Sequence, residues 1–388
     1  MRIAAVDTFV LKIDNDEPYL GVLPDGTGPA DGYAVRPPWR SLYSPRFETV
    51  LVRLTAEDGT VGWGEALAPV GPEIVAAVVR TTLAGQLVGA DARSPRPVGR
   101  AAAELMRERG HLVGHQADAL AAVDIALWDL AGRLLEVPVA TLLGGAYRQR
   151  IPTYVSGLPR ASDAERAELA RDWVARGATA VKLHLGHGVE QDLATVDAVR
   201  AAAPSLRVAV DGHWAYRRHD ARRLARGLAA RDAWFLEAPL APEDDRGHRA
   251  LGDETIPIAV GESLRNRFEF AHWLATDALA IAQPDIGRTG ITEAIGIAEL
   301  CAARHVPVAP HHSVALGIAL AAGLHVAAAV EDLLAFEYQP TSTEVGQRIL
   351  RTPLQVGADH MQLPDGPGLG IEIDTEALAT HTTSETTR

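Results

Sequence analysis

The chain is poor in the residues that mark several whole classes of protein. There is one cysteine, Cys301, among 388 residues. No intrachain disulfide can form, and a reducing, cytoplasmic setting is expected. Positive charge is also short. The 37 Lys and Arg against 50 Asp and Glu give a formal net charge of −13, which argues against a nucleic-acid partner. No apolar run reaches the ~20 residues of a membrane span. The longest, "VALGIALAAGLHVAAAV", is interrupted by His325 and reads as a buried helix. The opening "MRIAAVDTFVLKI" is broken by Asp7 and Lys12 and alternates like a strand rather than a signal peptide. No Gly-rich dinucleotide fingerprint follows the early strands. An acidic chain of this kind binds an anion only through a metal or local arginines.

What is present is a large core and a change of texture. At 47% hydrophobic residues the chain can bury one large domain and a smaller one. Residues 1–125 mix strands and helices. "FETVLVRLTAEDGTVGWGEA" is a hairpin with Asp58-Gly59 at its turn. The preceding "PDGTGPADGYAVRPPWRSLYSPR" reads as a long surface loop of the kind that covers sites. Helical pattern follows. In "DALAAVDIALWDLAGRLLEVPV", Val123, Leu127, Leu130 and Leu134 share a face.

From about residue 126 to 355, short apolar runs recur between helical segments. They are "IPTYVSG", "AVKLHL", "RVAVDGH", "WFLEAP", "PIAVGES", "LAIAQPD", "VPVAPHH" and "LLAFEYQ". Eight such strands alternating with helices predict an α/β barrel of parallel strands buried on both faces. Residues 356–388 hold the turn-rich "PDGPGLGIEID" with one more strand, expected to pack back on the N-terminal part. "THTTSETTR" reads as a frayed tail.

In such barrels the chemistry sits where the strands end. Strand two ends in Lys182 and His184, two apart and so facing one side. Strand three ends in Asp211 and His213, strand four in Glu237 and strand five in Glu262. Strand six ends in Asp285, strand seven in His311 and His312, and strand eight in Glu337. Any one of these would ordinarily be a solvated charge. Seven strands in succession make that reading weak.

Asp211, Glu237 and Glu262 would repel one another at one mouth unless a cation lies between them. All-oxygen ligation suits Mg²⁺ or Mn²⁺. The alternative is that one of the three caps a helix or pairs with an arginine. Asp285 and His311 on neighbouring strands suit a hydrogen-bonded dyad, with Asp285 orienting the imidazole. Alternatively, His311 is a satisfied core histidine and Asp285 a helix cap. Spacing alone leaves His312 a rival to His311. Lys182 lies across the barrel from the pair as a proton-active group; a salt bridge to one of the metal carboxylates is the plainer reading and is compatible with that role. Proton abstraction beside a carboxylate fits this set, with the cation stabilising the enediolate.

The same segments carry a family resemblance over nearly the whole chain. "AAVDIALWDLAGRLLEVPVATLLGG", "VDGHWAY", "FLEAP", "VGES", "QPDIGRTGITEA", "APHHS" and "PDGPGLGIEID" occur in this order. Together they resemble the enolase superfamily in its mandelate racemase subgroup. The resemblance implies a (β/α)7β modified TIM barrel under an α+β capping domain formed by the N-terminal region and the C-terminal segment. It implies Mg²⁺ held by Asp211, Glu237 and Glu262, and an Asp285–His311 dyad with His311 as the catalytic histidine. Glu337 matches a strand-eight acid that bonds the substrate carboxylate. The cap loop matches the segments that choose the substrate. Two positions depart from the family pattern. His184 stands where many members carry a second lysine base, and His213 where many carry Asn.

The expected activity is an Mg-dependent acid-sugar dehydratase, forming a 2-keto-3-deoxy acid from an aldarate or aldonate. Lys182, His184, Asp285, His311 and Glu337 are the catalytic candidates. His213 and the cap-loop arginines Arg36, Arg40 and Arg46 are candidate substrate contacts, the arginines hinting at a second carboxylate. The nearest rival is a racemase, epimerase or cycloisomerase of the same superfamily. A metallohydrolase is disfavoured because "IPTYVSG" has no histidine. A non-catalytic anion-binding protein is the remaining class. A small carboxylate is the expected partner, with no membrane. A homo-oligomer, dimer or octamer, is what the resemblance implies.

Overall fold

The computed structural model describes residues 1–16, 19–21, 32–252 and 256–387. The chain opens with β1 (Ile3–Ile13). A small hairpin follows, β2 (Ala34–Val35) with β3 (Leu42–Tyr43), and then β4 (Phe47–Ala56) and β5 (Val61–Ala66). Residues 22–31, which include much of the expected surface loop, lie outside the described residues. β4 and β5 form the expected hairpin. Gly59 supplies its positive φ of 87°, which a residue with a side chain rarely adopts.

The helix Gly114–Leu134 covers this sheet. It can lie flush because β5 reads Val-Gly-Trp-Gly. A Cβ on Gly64 would stand 1.8 Å from the Ala122 carbonyl oxygen, and one on Gly62 would stand 2.5 Å from the Leu130 Cβ. The helix is buried on nearly every side, not along one stripe. Its other face meets the barrel, where Trp128 Nε1 donates to Thr292 Oγ1 at 2.9 Å. It runs unbroken across residue 125, where the sequence reading divides cap from barrel.

The barrel strands are β6 (Arg150–Ser156), β7 (Ala180–His184), β8 (Arg207–Asp211), β9 (Leu236–Glu237), β10 (Ile258–Val260), β11 (Ile281–Ala282) and β12 (Phe336–Tyr338). They are parallel neighbours in the order β11-β10-β9-β8-β7-β6-β12. The seventh expected strand, "VPVAPHH", is reduced to bridges from Val308 to Ala282 and Leu333 and from His311 to Asp285. Pro307 and Pro310 lack the N–H that a full ladder needs. These bridges nevertheless close the circle. The fold is an α/β protein with a (β/α)7β-type barrel and an antiparallel capping sheet.

One inward layer of the barrel is apolar. Tyr154, Ala180, Ala209, Phe235, Ala259, Ile281, Ala309 and Ala335 fill it, two large rings among mostly small side chains.

The C-terminal segment differs from the sequence reading in two ways. Its strands are β13 (His360–Gln362), antiparallel to β6, and β14 (Thr382–Thr387). "GIEID" makes only the bridge Ile373 to Leu350. The tail expected to fray instead pairs with β1 from Asp7 to Leu11 and completes the cap sheet in the order β14-β1-β4-β5. Its run of β-branched threonines suits a strand, and β1 offers an unpaired edge. "PDGPGLGIEID" packs on the long helix, with Leu369 N donating to Asp129 Oδ1 at 2.8 Å. Among the described residues, no helix is long and apolar enough to cross a membrane.

Candidate active site

The apolar layer fixes what stands above it. Side chains two apart on a strand share a face. Stepping two residues on from Tyr154, Ala180, Ala209, Phe235, Ile281, Ala309 and Ala335 gives Ser156, Lys182, Asp211, Glu237, Gln283, His311 and Glu337. A ring of polar groups therefore sits on an apolar floor and is cut off from water below. Strand register aligns it further, pairing His184 with Asp211 and Asp211 with Glu237. At Gly261 a side chain would strike the Gln283 backbone at 2.7 Å. Glu262 carries the carboxylate of that strand instead.

Lys182 is only 1% exposed. Its Nζ lies 2.8 Å from Glu237 Oε2 and 2.7 Å from Glu337 Oε1. Burial alone would lower its pKa, but the two carboxylates hold it well above the ordinary value. It is an ammonium bridging two acids, as the salt-bridge reading had it. Burial would raise Glu337, but Lys182 and His311 outweigh this and bring it to about 2. Glu237 is pushed up to about 7, by burial and then by the negative charge of Asp211, Glu337 and Glu262.

His311 Nδ1 lies 2.6 Å from Asp285 Oδ2. An ionised carboxylate can only accept, so Nδ1 carries a proton; burial would lower the pKa of the ring, but Glu337, Asp285 and Glu262 outweigh it and raise it well above the ordinary value. Nε2 faces Glu262 Oε2 at 3.0 Å. His311 lines the cavity at this end of the barrel. His312 points away, with its ring against Phe336, and burial drops its pKa to about 4.

His184 ends β7 and lines the same cavity. Ser156 Oγ donates to Glu337 Oε1 at 2.5 Å. With its hydrogen so used, it accepts from His184 Nε2 at 3.1 Å. Burial lowers His184 to about 4 and keeps it neutral. His213 N donates to Asp211 Oδ1 at 2.8 Å, and its ring Nδ1 lies 3.0 Å from Asp211 Oδ2. Its Nε2 meets Tyr43 OH at 3.0 Å, and Trp39 stacks on it at 4.3 Å. The β2–β3 hairpin is thus docked on the end of β8.

Ligand atoms of Glu237, Glu262 and His311 lie within 4.8 Å of one another. Asp211 stands beside them, turned to His213. The donor set fits a hard divalent cation. One buried oxygen, Glu237 Oε1, has no hydrogen-bond partner among the described residues, and an unsatisfied buried acceptor of this kind asks for a cation.

The cavity measures about 340 Å³ and is lined by Lys182, His184, Asp211, His213, Glu262 and His311, among others. Of the cap-loop arginines, Arg36 and Arg46 line it. Arg40 is exposed and does not, so it is no wall of this cavity. Arg46 pairs with Glu48 at 3.4 Å, and Arg36 donates to the Gly21 carbonyl. Sequence reasoning missed Ser156 and Gln283, whose Nε2 donates to Glu237 Oε2 at 2.6 Å. Their two-residue offset from inward apolar positions was the available signal. It also passed over Tyr43, Trp39, Arg265 and Arg288.

Residues 165–377 match the family described as enolase C-terminal domain-like. Residues 43–144 match the mandelate racemase/muconate lactonizing enzyme N-terminal domain. This chain belongs to the mandelate racemase/muconate lactonizing enzyme family of the enolase superfamily. Its relatives in that family include a D-galactarolactone cycloisomerase of Agrobacterium fabrum, 33% identical over 97% of this chain and 98% of the relative. A D-xylonate dehydratase of Haloferax volcanii is 31% identical over 88% and 87%. Among solved structures, an enolase-superfamily member from Agrobacterium tumefaciens superposes with a TM-score of 0.93 at 38% identity, covering 97% of this chain and 98% of that one. A racemase from Streptomyces coelicolor A3(2) with bound magnesium gives 0.84 at 26%, covering 98% and 100%.

Proposed function

We propose that the protein is an Mg²⁺-dependent acid-sugar dehydratase. It would remove the proton α to the substrate carboxylate and release the β-hydroxyl as water, giving a 2-keto-3-deoxy acid. The observation that carries this is the Asp285–His311 pair, which turns the second ring nitrogen, Nε2, to the acidic cluster inside the cavity. Asp211, Glu237 and Glu262 would hold the cation, with Mn²⁺ as a substitute. When bound, the cation supplies positive charge that lowers the cost of enolising a carboxylate.

The remaining roles fall to the chain's own side chains. His311 Nε2 takes the α-proton and returns it to the departing hydroxyl. The Cα–H and Cβ–O bonds break, water leaves, and the enol becomes the ketone. Asp285 stabilises the imidazolium while it exists. Lys182, locked as an ammonium, is no base. It supports Glu237 and Glu337 and adds positive field beside the developing oxyanion. Glu337 would help hold the carboxylate end of the substrate, and His184 and His213 would bind hydroxyls. The support for acid sugars as the substrate class is the set of similar sugar-acid enzymes, together with this charged, half-enclosed cavity.

A cycloisomerase reading is the second. It is favoured by the cycloisomerase named above, which matches this chain nearly end to end. It is also favoured by neutral His184, a second imidazole lining the same cavity as His311. Incubation with Mg²⁺ and a library of aldonates, aldarates, uronates and lactones separates the two. 2-Keto acid from an open-chain acid sugar supports dehydration. Turnover of lactones alone supports the second reading, and no turnover of any member refutes both.

A further inference from the structure

Most cations that face the cavity are already matched by acids. Lys182 has Glu237 and Glu337, His311 has Asp285 and Glu262, and His213 has Asp211. Arg46 has Glu48 at 3.4 Å and Arg265 has Asp118 at 2.9 Å. Arg288 is different. It stands in the first turn of the helix Ile286–Ala302, three residues after Asp285, and lines the cavity. Its backbone N–H donates to the Asp285 carbonyl at 3.0 Å. Its side chain makes no ion pair or hydrogen bond with any described residue. Its Nε is fully buried with no partner among the described residues, as is that of Arg46, but Arg46 has Glu48 beside its Nη2 and Arg288 has no acid in contact. Glu262 and Asp118 act on it only at longer range. From the cap side, Arg36 lines the same cavity with a backbone carbonyl as its one hydrogen-bond partner among the described residues.

A buried guanidinium N–H without an acceptor is a costly arrangement in a folded protein. It becomes favourable when a ligand brings a carboxylate, which a planar guanidinium can bind in bidentate fashion. The acidic cluster and the Lys182 network serve one carboxylate of the substrate. Arg288 is left for an anion at some other position on the same molecule. We propose that the substrate carries a second carboxylate, and that Arg288, assisted by Arg36, selects this diacid over the matching monoacid. The proposal rests on the acid-sugar reading above. It assigns the discrimination chiefly to a barrel residue rather than to the cap loop alone.

The test compares kcat/KM for six-carbon aldarates and the aldonates of matching configuration. The proteins are the wild type, Arg288→Gln and Arg288→Lys, each checked for folding by thermal melting. The wild type should prefer a diacid by at least about tenfold, because a site built to bond a group discriminates against the analogue that lacks it. Arg288→Gln should shrink this ratio to about twofold or less, mainly by raising KM for the diacid, and Arg288→Lys should keep part of it. If Arg288→Gln does not fold, Arg288→Lys and Arg36→Gln carry the comparison. Aldonate turnover without diacid preference overturns the inference alone, as does an equal loss on both substrates in Arg288→Gln. No turnover of either class overturns the acid-sugar reading, and this inference with it.

Discussion

Replacing Asp285 by Asn isolates the contribution of one charge. The Asp285 and His311 side chains are 2.6 Å apart between Oδ2 and Nδ1, and the residues are 1% and 5% exposed. Asn can still accept from Nδ1 through its carbonyl oxygen, so the ring orientation survives. The backbone bond from Thr289 N to the residue-285 carbonyl does not involve the side chain. What is lost is the negative charge that stabilises imidazolium. Unit charges about 4 Å apart interact by about 4 kcal/mol at an effective dielectric of 20. Each 1.4 kcal/mol on a barrier is about tenfold in rate. Asp285→Asn should therefore lower kcat by about 10²- to 10³-fold, within the usual range for general acid–base catalysis. KM should change little, because Asp285 meets His311 rather than the cavity. The assay is 2-keto acid formation at saturating substrate and Mg²⁺, with thermal melting as a fold control. A well-folded variant whose kcat stays within about threefold of wild type would refute the dyad's role.

Further outcomes follow from other parts of the structure. His184→Asn should keep dehydration within about tenfold if His311 carries the proton transfer; a loss beyond about 10³ would make His184 the base. Chelation should abolish turnover and Mg²⁺ or Mn²⁺ restore it, with the melting temperature rising as Mg²⁺ is added; full activity after exhaustive chelation would exclude a metal enzyme. Gly64→Ala forces a Cβ to 1.8 Å from the Ala122 carbonyl and should cost about 3 kcal/mol or more in denaturant unfolding. His325 is buried, accepts from Ala140 N at 3.1 Å, and has its pKa lowered from 6.5 to about 4 by burial. The unfolded chain then binds the proton first as pH falls, so this group favours folding above pH 6.5 and that advantage fades toward pH 4. Its share of the loss between pH 7 and 5 is about 2 kcal/mol. His325→Leu should flatten the pH dependence of unfolding by that amount, and an unchanged slope would contradict the assignment.

The ionisable strand ends were legible because charge is conspicuous in an apolar run. Lys182, Asp211, Glu237, Glu262, His311 and Glu337 all reach one region of the barrel mouth. Ser156 and Gln283 were not legible by that signal, since neutral side chains do not stand out beside valines and alanines. Only the two-residue offset from Tyr154 and Ile281 marks them, and it needs the inward face to be known. Strand seven was legible as a run but not as a ladder, because Pro307 and Pro310 remove donors. The tail was misread since its polar threonines suggest a loop. Its pairing depends on the free edge of β1, which is distant in sequence. Arg40 and Arg36 look alike in the same loop. Their difference arises from how the β2–β3 hairpin docks through Trp39 and Tyr43.

Loss of an α-proton coupled to formation of a keto group is the central claim. Proton NMR in D₂O reads both on one sample. With Mg²⁺ and a panel of aldonates and aldarates, the α-proton signal of a substrate should vanish as the resonances of a 2-keto-3-deoxy acid grow at the same rate. His311→Asn should abolish both. An α-proton that exchanges with solvent while the acid sugar stays intact, or a panel on which no α-proton is lost, would contradict the account.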